Sequence, residues 1–222
     1  QRRATNVVLV VDVSGSAEEG MRVQKSAALS VLEQLGDENE VGMVGFNYQA
    51  YRVAAVEPLS ENRGELEDKI RRLRSGGATD IAAGVRGGGE LLGDRRGSII
   101  VVSDGGDNPE EAATAAARLS ERGVRVITVG AGERINERTL RTVAGAGGGS
   151  YFRATETTRL GILFGRAGAA GGSGLVLFDR RAFATPGVPP PSSPAPLPHR
   201  SGRRGRAPPR PGAPRPPAPA PR

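Results

Sequence analysis

The residues best placed to do chemistry are aspartates and hydroxyl side chains. The run Asp12-Val-Ser14-Gly-Ser16 closes an apolar stretch, Thr79 lies in a Gly-containing loop, and Asp104 ends a second apolar stretch. Their donor atoms are all carboxylate or hydroxyl oxygens, the set a hard divalent cation such as Mg2+ or Mn2+ prefers in octahedral coordination. Alternate residues share a side as a strand turns into its loop, so Asp12, Ser14 and Ser16 can converge, with Gly15 allowing a tight turn between them. Two carboxylates and three neutral hydroxyls leave a bound cation electrophilic when an Asp acts through water. It would then take one more anionic oxygen from outside, such as a partner's Glu or Asp. That chemistry is binding and not catalysis, and no enzyme activity is expected: the only His is His199, far from the clusters, so no imidazole stands near them as a general base.

The elements that must position these residues follow from the hydrophobic pattern. Asn6–Val11, Ser98–Ser103 and Val124–Val129 are runs dominated by apolar, β-branched residues, as in strands buried on both faces of a parallel sheet. Val41–Phe46 is a further strand. Tyr51–Val56 follows it after a connection so short that the two must form an antiparallel hairpin. Ala28, Val31, Leu32 and Leu35 mark one helical face, which Gly36 would end in a left-handed cap. Leu66, Ile70 and Leu73 mark a short charged helix, and Ile81, Val85 and Leu92 another. Asn108-Pro109 opens a helix that Gly123 ends, and Asn136 caps one running to Ala144. Ser150–Arg153 predicts a last strand and Thr155–Phe164 a closing helix. Strands alternating with helices specify an α/β doubly wound sheet, in which ligands bind beyond the carboxyl ends of the strands where strand order reverses.

At these positions the residues resemble the metal-ion-dependent adhesion site of von Willebrand factor type A domains. The three motifs stand here as DVSGS at 12–16, GGATDIAAGV at 76–85 and IIVVSDG at 99–105, and the resemblance covers about residues 5–164. It implies a Rossmann-like six-stranded sheet of order 3-2-1-4-5-6 with one antiparallel edge strand and helices on both faces. It implies that Ser14, Ser16 and Thr79 ligate the cation directly or nearly so, with the Asp12 and Asp104 carboxylates acting directly or through water. The cation would be Mg2+, with Mn2+ or Ca2+ as alternatives. The resemblance further implies a noncatalytic module that binds a protein partner presenting a Glu or Asp carboxylate. The module would be a fragment of a larger surface or membrane-anchored protein, at the cell surface or extracellular face. One departure is visible: many prokaryotic members follow DxSGS with Met, whereas Ala17 stands here, at a position that does not ligate.

Other readings compete with these. An accessory subunit of an ATP-driven chelatase-like machine fits the same family. A Mg2+-dependent phosphohydrolase of the haloacid dehalogenase type needs a second acid where Ser14 stands. The glycines at 145–149 follow a helix and precede a strand, the reverse of a phosphate-cradling loop. Asp80, Asp107 and Asn108 read as helix caps, and Tyr48 and Tyr51 as edge-strand packing.

The chain has 222 residues and a net charge of +7, which first suggests nucleic acid. The excess lies wholly in residues 185–222, which carry seven Arg, no acid and 15 of the 17 Pro, leaving residues 1–184 neutral. A specific nucleic-acid partner is not expected, because this tail has no aromatic residue to stack on bases. The domain reading is therefore 1–164 for the folded module. Residues 165–184 form a Gly/Ala linker holding Leu175–Asp179, the possible first strand of a truncated domain. Residues 185–222 form a disordered basic tail. The tail reads as a solvated arm or, since Arg outnumbers Lys 29 to 2 as in G+C-rich coding sequence, as the product of a shifted reading frame or truncation. The absence of Cys excludes disulfides and thiolate metal sites. No apolar run reaches the length of a membrane span. Composition does not indicate an oligomeric state.

Overall fold

The computed structural model describes residues 4–15 and 18–165. The expectations for residues 166–222, namely the linker, the strand at 175–179 and the tail, lie outside the described residues, as does Ser16.

Six strands form one sheet: β1 (Asn6–Asp12), β2 (Glu40–Phe46), β3 (Ala50–Pro58), β4 (Gly97–Ser103), β5 (Val124–Gly130) and β6 (Gly148–Arg153). Their order is β3-β2-β1-β4-β5-β6. Only the β2–β3 pair is antiparallel. Helices α1 (Glu18–Gln34), α2 (Leu59–Arg72) and the short α6 (Leu160–Phe164) bury their apolar faces with Val7, Leu9 and Val11 of β1. Helices α3 (Ile81–Leu92), α4 (Pro109–Glu121) and α5 (Glu137–Ala146) pack with Val8 and Val10 on the opposite face. The strict alternation along β1 between two cores is why Val7–Val11 is apolar throughout, with Asp12 the first polar residue after it. The strand order reverses between β1 and β4. Their register pairs Val11 with Val102, so the next residues, Asp12 and Ser103, end side by side at this reversal.

Local signals act where the sequence places them. Asp80 caps α3 by accepting the Ala83 N–H at 2.8 Å, Asn108 caps α4 through Glu110 N–H, and Asn136 caps α5 through Thr139 N–H. Asp107 also caps, but across space: its carboxylate accepts the Ile81 N–H of α3 at 2.9 Å.

Three expectations are corrected. The helix marked by Leu66, Ile70 and Leu73 begins back at Leu59, and Leu73 has already left it with ψ 142°. The closing helix is not continuous: Ala154–Arg159 forms a 3-10 turn before α6. Its Glu156 side chain accepts the Arg153 N–H, and the adjacent β-branched Thr157 and Thr158 disfavour an α turn. Gly36 is not left-handed. Its N–H donates to the Phe164 carbonyl at 2.7 Å, and the Glu38 carboxylate lies over the position a Cβ would take.

Gly64 lies inside α2 with open space where a Cβ would stand. Gly64→Ala should therefore stabilise the protein by roughly 0.5–1 kcal/mol through helix propensity and reduced freedom of the unfolded chain. A urea midpoint unchanged or lowered would contradict this.

Candidate metal centre

Asp12 is the last residue of β1, and its side chain is 2% exposed. One carboxylate oxygen accepts the Ser14 N–H at 2.9 Å, and the other accepts the Ser103 hydroxyl at 2.7 Å. Among the described residues no Lys or Arg pairs with it. Burial pushes its pKa above the ordinary value, hydrogen bonds from Ser14 and Ser103 offset this in part, and the nearby Asp104 charge adds to the rise. An unpaired carboxylate withdrawn from water is costly to the fold, and a cation would relieve that cost.

The hydroxyls are assembled by two glycine turns. Gly15, at φ +89°, donates its N–H to the Gly77 carbonyl at 2.9 Å, and Gly77 itself has φ +87°. Side chains at either position would be strained in this left-handed backbone. A second bond, from Gly76 N–H to Val13 carbonyl, also 2.9 Å, locks the α2–α3 loop against the β1 loop. The result brings Thr79 to Ser14: the Thr79 hydroxyl donates to the Ser14 hydroxyl at 2.7 Å, across 65 residues of sequence.

Asp104 follows β4 and is half-buried. Its carboxylate accepts the Gly106 N–H at 2.9 Å, and its carbonyl accepts the Asn136 N–H at 2.7 Å. Gly132 backs it closely, since a Cβ there would stand 2.8 Å from the Asp104 Cβ. The loop carrying Gly132 is tied to α1 by Gln24, whose Nε2 donates to the Ala131 carbonyl at 2.8 Å. The structure thus joins Asp12, Ser14 and Thr79 directly and places Asp104 close enough for its charge to act on Asp12.

Among the described residues no three His, Cys, Asp or Glu side chains gather into a metal-binding cluster. A cation at this edge therefore depends on hydroxyl ligands as well as carboxylates. The donor set fits a hard divalent ion: two carboxylates, one of them buried and without a cationic partner among the described residues, and two hydroxyls already in contact.

Two neighbouring residues escape a reading of the sequence. Ser103 reads as the last residue of an apolar strand, yet it is fully buried and holds both Asp12 and the Gly105 N–H, the latter at 3.0 Å. Ser103→Ala would strand a buried carboxylate oxygen and an N–H, at an expected cost of about 2 kcal/mol in metal-free protein. Urea denaturation with EDTA measures it, and a loss near zero would show that Asp12 needs no donor there. Tyr48, expected to pack on the edge strand, instead sits in the turn between β2 and β3, is 60% exposed, and lies against Gly77.

Comparisons with known proteins agree with this architecture. The sequence pattern of the von Willebrand factor type A domain family matches residues 6–166. An uncharacterized Synechocystis protein is 27% identical over 159 residues, 68% of this chain, and the chain spans only 37% of that relative's length. In structure, the chain is similar to the manganese-loaded TRAP protein of Plasmodium vivax, with a TM-score of 0.62 at 20% identity, covering 73% of this chain and 74% of that one. It is also similar to proximal thread matrix protein 1 of the mussel byssus with a zinc-occupied MIDAS (metal-ion-dependent adhesion site) motif, with a TM-score of 0.56 at 15% identity, covering 72% and 44%. These likenesses show a shared fold. With a family pattern that spans most of its length, the chain belongs to the von Willebrand factor type A domain family.

Proposed function

We propose that the carboxyl edge of this sheet holds one divalent cation, Mg2+ or alternatively Mn2+ or Ca2+, through Asp12, Ser14, Ser16, Thr79 and Asp104. When bound, the ion supplies an electrophilic position that accepts a Glu or Asp carboxylate from a protein partner. The observation that carries this reading is the buried Asp12 carboxylate, without a cationic partner among the described residues, beside the joined hydroxyls of Ser14 and Thr79. The manganese and zinc named for two proteins of the same fold support a divalent ion here.

The chain's own residues do positioning work in this scheme. Ser103 orients Asp12, the two glycine turns set Ser14 beside Thr79, and the Asn136 N–H fixes the Asp104 backbone. None of these groups is a neutral base poised to activate water, which supports a binding role.

Mg2+ titration tests the reading. A ligand that binds only the folded state stabilises it by about 2.7 kcal/mol at 100 times its dissociation constant. The melting temperature should therefore rise with Mg2+ and return to its starting value with EDTA. No change across the titration would sink the proposal.

A further inference from the structure

Tyr48 and Tyr51 are the large apolar residues left exposed among the described residues, at 60% and 39%. Single exposed apolar side chains are ordinary on protein surfaces; the location of this pair is not. Because β2 runs parallel to β1, the turn that follows β2 emerges at the same edge of the sheet as Asp12.

That turn is fastened to the loop carrying Thr79. Asn47 Nδ2 donates to the Gly76 carbonyl at 2.7 Å, and the Asp80 N–H donates to the Asn47 carbonyl at 2.8 Å. The Tyr51 hydroxyl donates to Asn47 Oδ1 at 3.1 Å and accepts Gln49 Nε2 at 2.8 Å. The Tyr48 ring rests over Gly77, where a Cβ would lie 2.9 Å from its Cδ1. The carbonyl of the same Gly77 accepts the Gly15 N–H, next to Ser14. An aromatic ring is therefore held at the rim of the candidate cation site by contacts that also build the site. Rigid, exposed tyrosines of this kind supply large contact area at little entropic cost.

The surroundings say which side chain would meet the ring. Residues 47–51 and 75–79 contain no charged group. The acid that follows the second segment in sequence, Asp80, is engaged by the Ala83 N–H and by Arg86 at 3.5 Å. Ala50 and Ala78 are exposed beside the tyrosines. This uncharged strip suits an apolar side chain better than a cation.

We infer that Tyr48 is a specificity-determining residue of the site: the partner that presents the carboxylate also seats a bulky apolar side chain against the exposed face of this ring. The inference rests on the proposed cation-and-carboxylate reading. The full chain is applied to surface-bound short peptides, each with one glutamate flanked by alanine, lysine or phenylalanine, in Mg2+ and again in EDTA. Mg2+-dependent retention should favour the phenylalanine peptides roughly tenfold over the alanine ones. Tyr48→Ser should remove that preference and Tyr48→Phe keep it, with the Mg2+-induced rise in melting temperature unchanged in both. A preference that survives Tyr48→Ser, or equal retention of lysine or alanine peptides, overturns the role of Tyr48 and leaves the cation site standing. Failure of every glutamate peptide to bind in a Mg2+-dependent manner overturns the carboxylate reading, and the inference with it.

Discussion

Asp12→Asn should abolish the stabilisation by Mg2+ and, in the same experiment, make the metal-free protein more stable. The two effects share one cause. The carboxylate is almost fully buried, hydrogen-bonded by Ser14 and Ser103, and repelled by Asp104, and its pKa lies above the ordinary 3.8. A raised carboxyl pKa means that stability present below the ordinary value is lost as pH rises through the higher, folded-state value. Above that window the metal-free wild type carries a buried charge, while an amide of the same shape does not. The Asn side chain can still accept the Ser14 N–H through Oδ1, and its Nδ2 can donate to the Ser103 hydroxyl in a reversed bond, so little packing is disturbed. In EDTA at neutral pH the variant should melt roughly 2–4 °C higher, the shift that about 1 kcal/mol produces in a domain of this size. The advantage should vanish as pH falls below the titration of the carboxyl. With Mg2+ the order should reverse, because only the wild type gains. Thermal melts across pH, with Mg2+ and with EDTA, measure all three. A variant less stable in EDTA would show that burial is not the dominant cost at Asp12. A variant stabilised by Mg2+ as much as the wild type would remove Asp12 from the site.

Gly88→Val should destabilise the protein by about 3 kcal/mol, at the upper end for overpacking a core. Helix α3 contains Gly84, Gly87, Gly88 and Gly89 within twelve residues, an unfavourable composition for a helix. Packing explains it. A Cβ on Gly88 would stand 2.8 Å from Val10 Cγ2 and 3.2 Å from two atoms of Ile99, both fully buried in adjacent central strands. On Gly84 a Cβ would meet the Phe46 ring at 2.7 Å. The helix therefore lies unusually deep on the sheet, and its depth places Thr79, just ahead of its first turn, against Ser14. Valine adds a branched side chain where none fits. Lifting α3 to make room should also weaken the response to Mg2+. Urea unfolding reports the first effect and Mg2+ titration the second. A loss below about 1 kcal/mol would mean that the α3 contact can relax, and that the glycines are not what seats the site.

Much of the site is legible in the sequence because its parts sit at strand ends. Asp12 and Asp104 each terminate an apolar run, and in a parallel sheet both ends must share an edge. Asp80, Asn108 and Asn136 announce themselves by residue type, as local caps do. The misreadings have identifiable causes as well. Gly36 looks like a left-handed stop, but its N–H is taken by the Phe164 carbonyl of α6, 128 residues further on. The 3-10 turn at Ala154–Arg159, with Glu156 capping the Arg153 N–H, is a departure that hydrophobic periodicity does not display.

By itself, the sequence determined the alternation of strands and helices, the carboxyl-edge location of Asp12 and Asp104, and the hard-oxygen character of the donor set. These depend on residue type and short spacings, and each is visible within a window of a few residues. Only the tertiary structure decided that Ser103 holds Asp12, that Thr79 touches Ser14, and that Tyr48 stands exposed beside them. Each of these depends on distant segments meeting in one register. The Val11–Val102 pairing brings Ser103 to Asp12, and the bonds between the Gly15 and Gly77 turns bring Thr79 and Tyr48 to the rim.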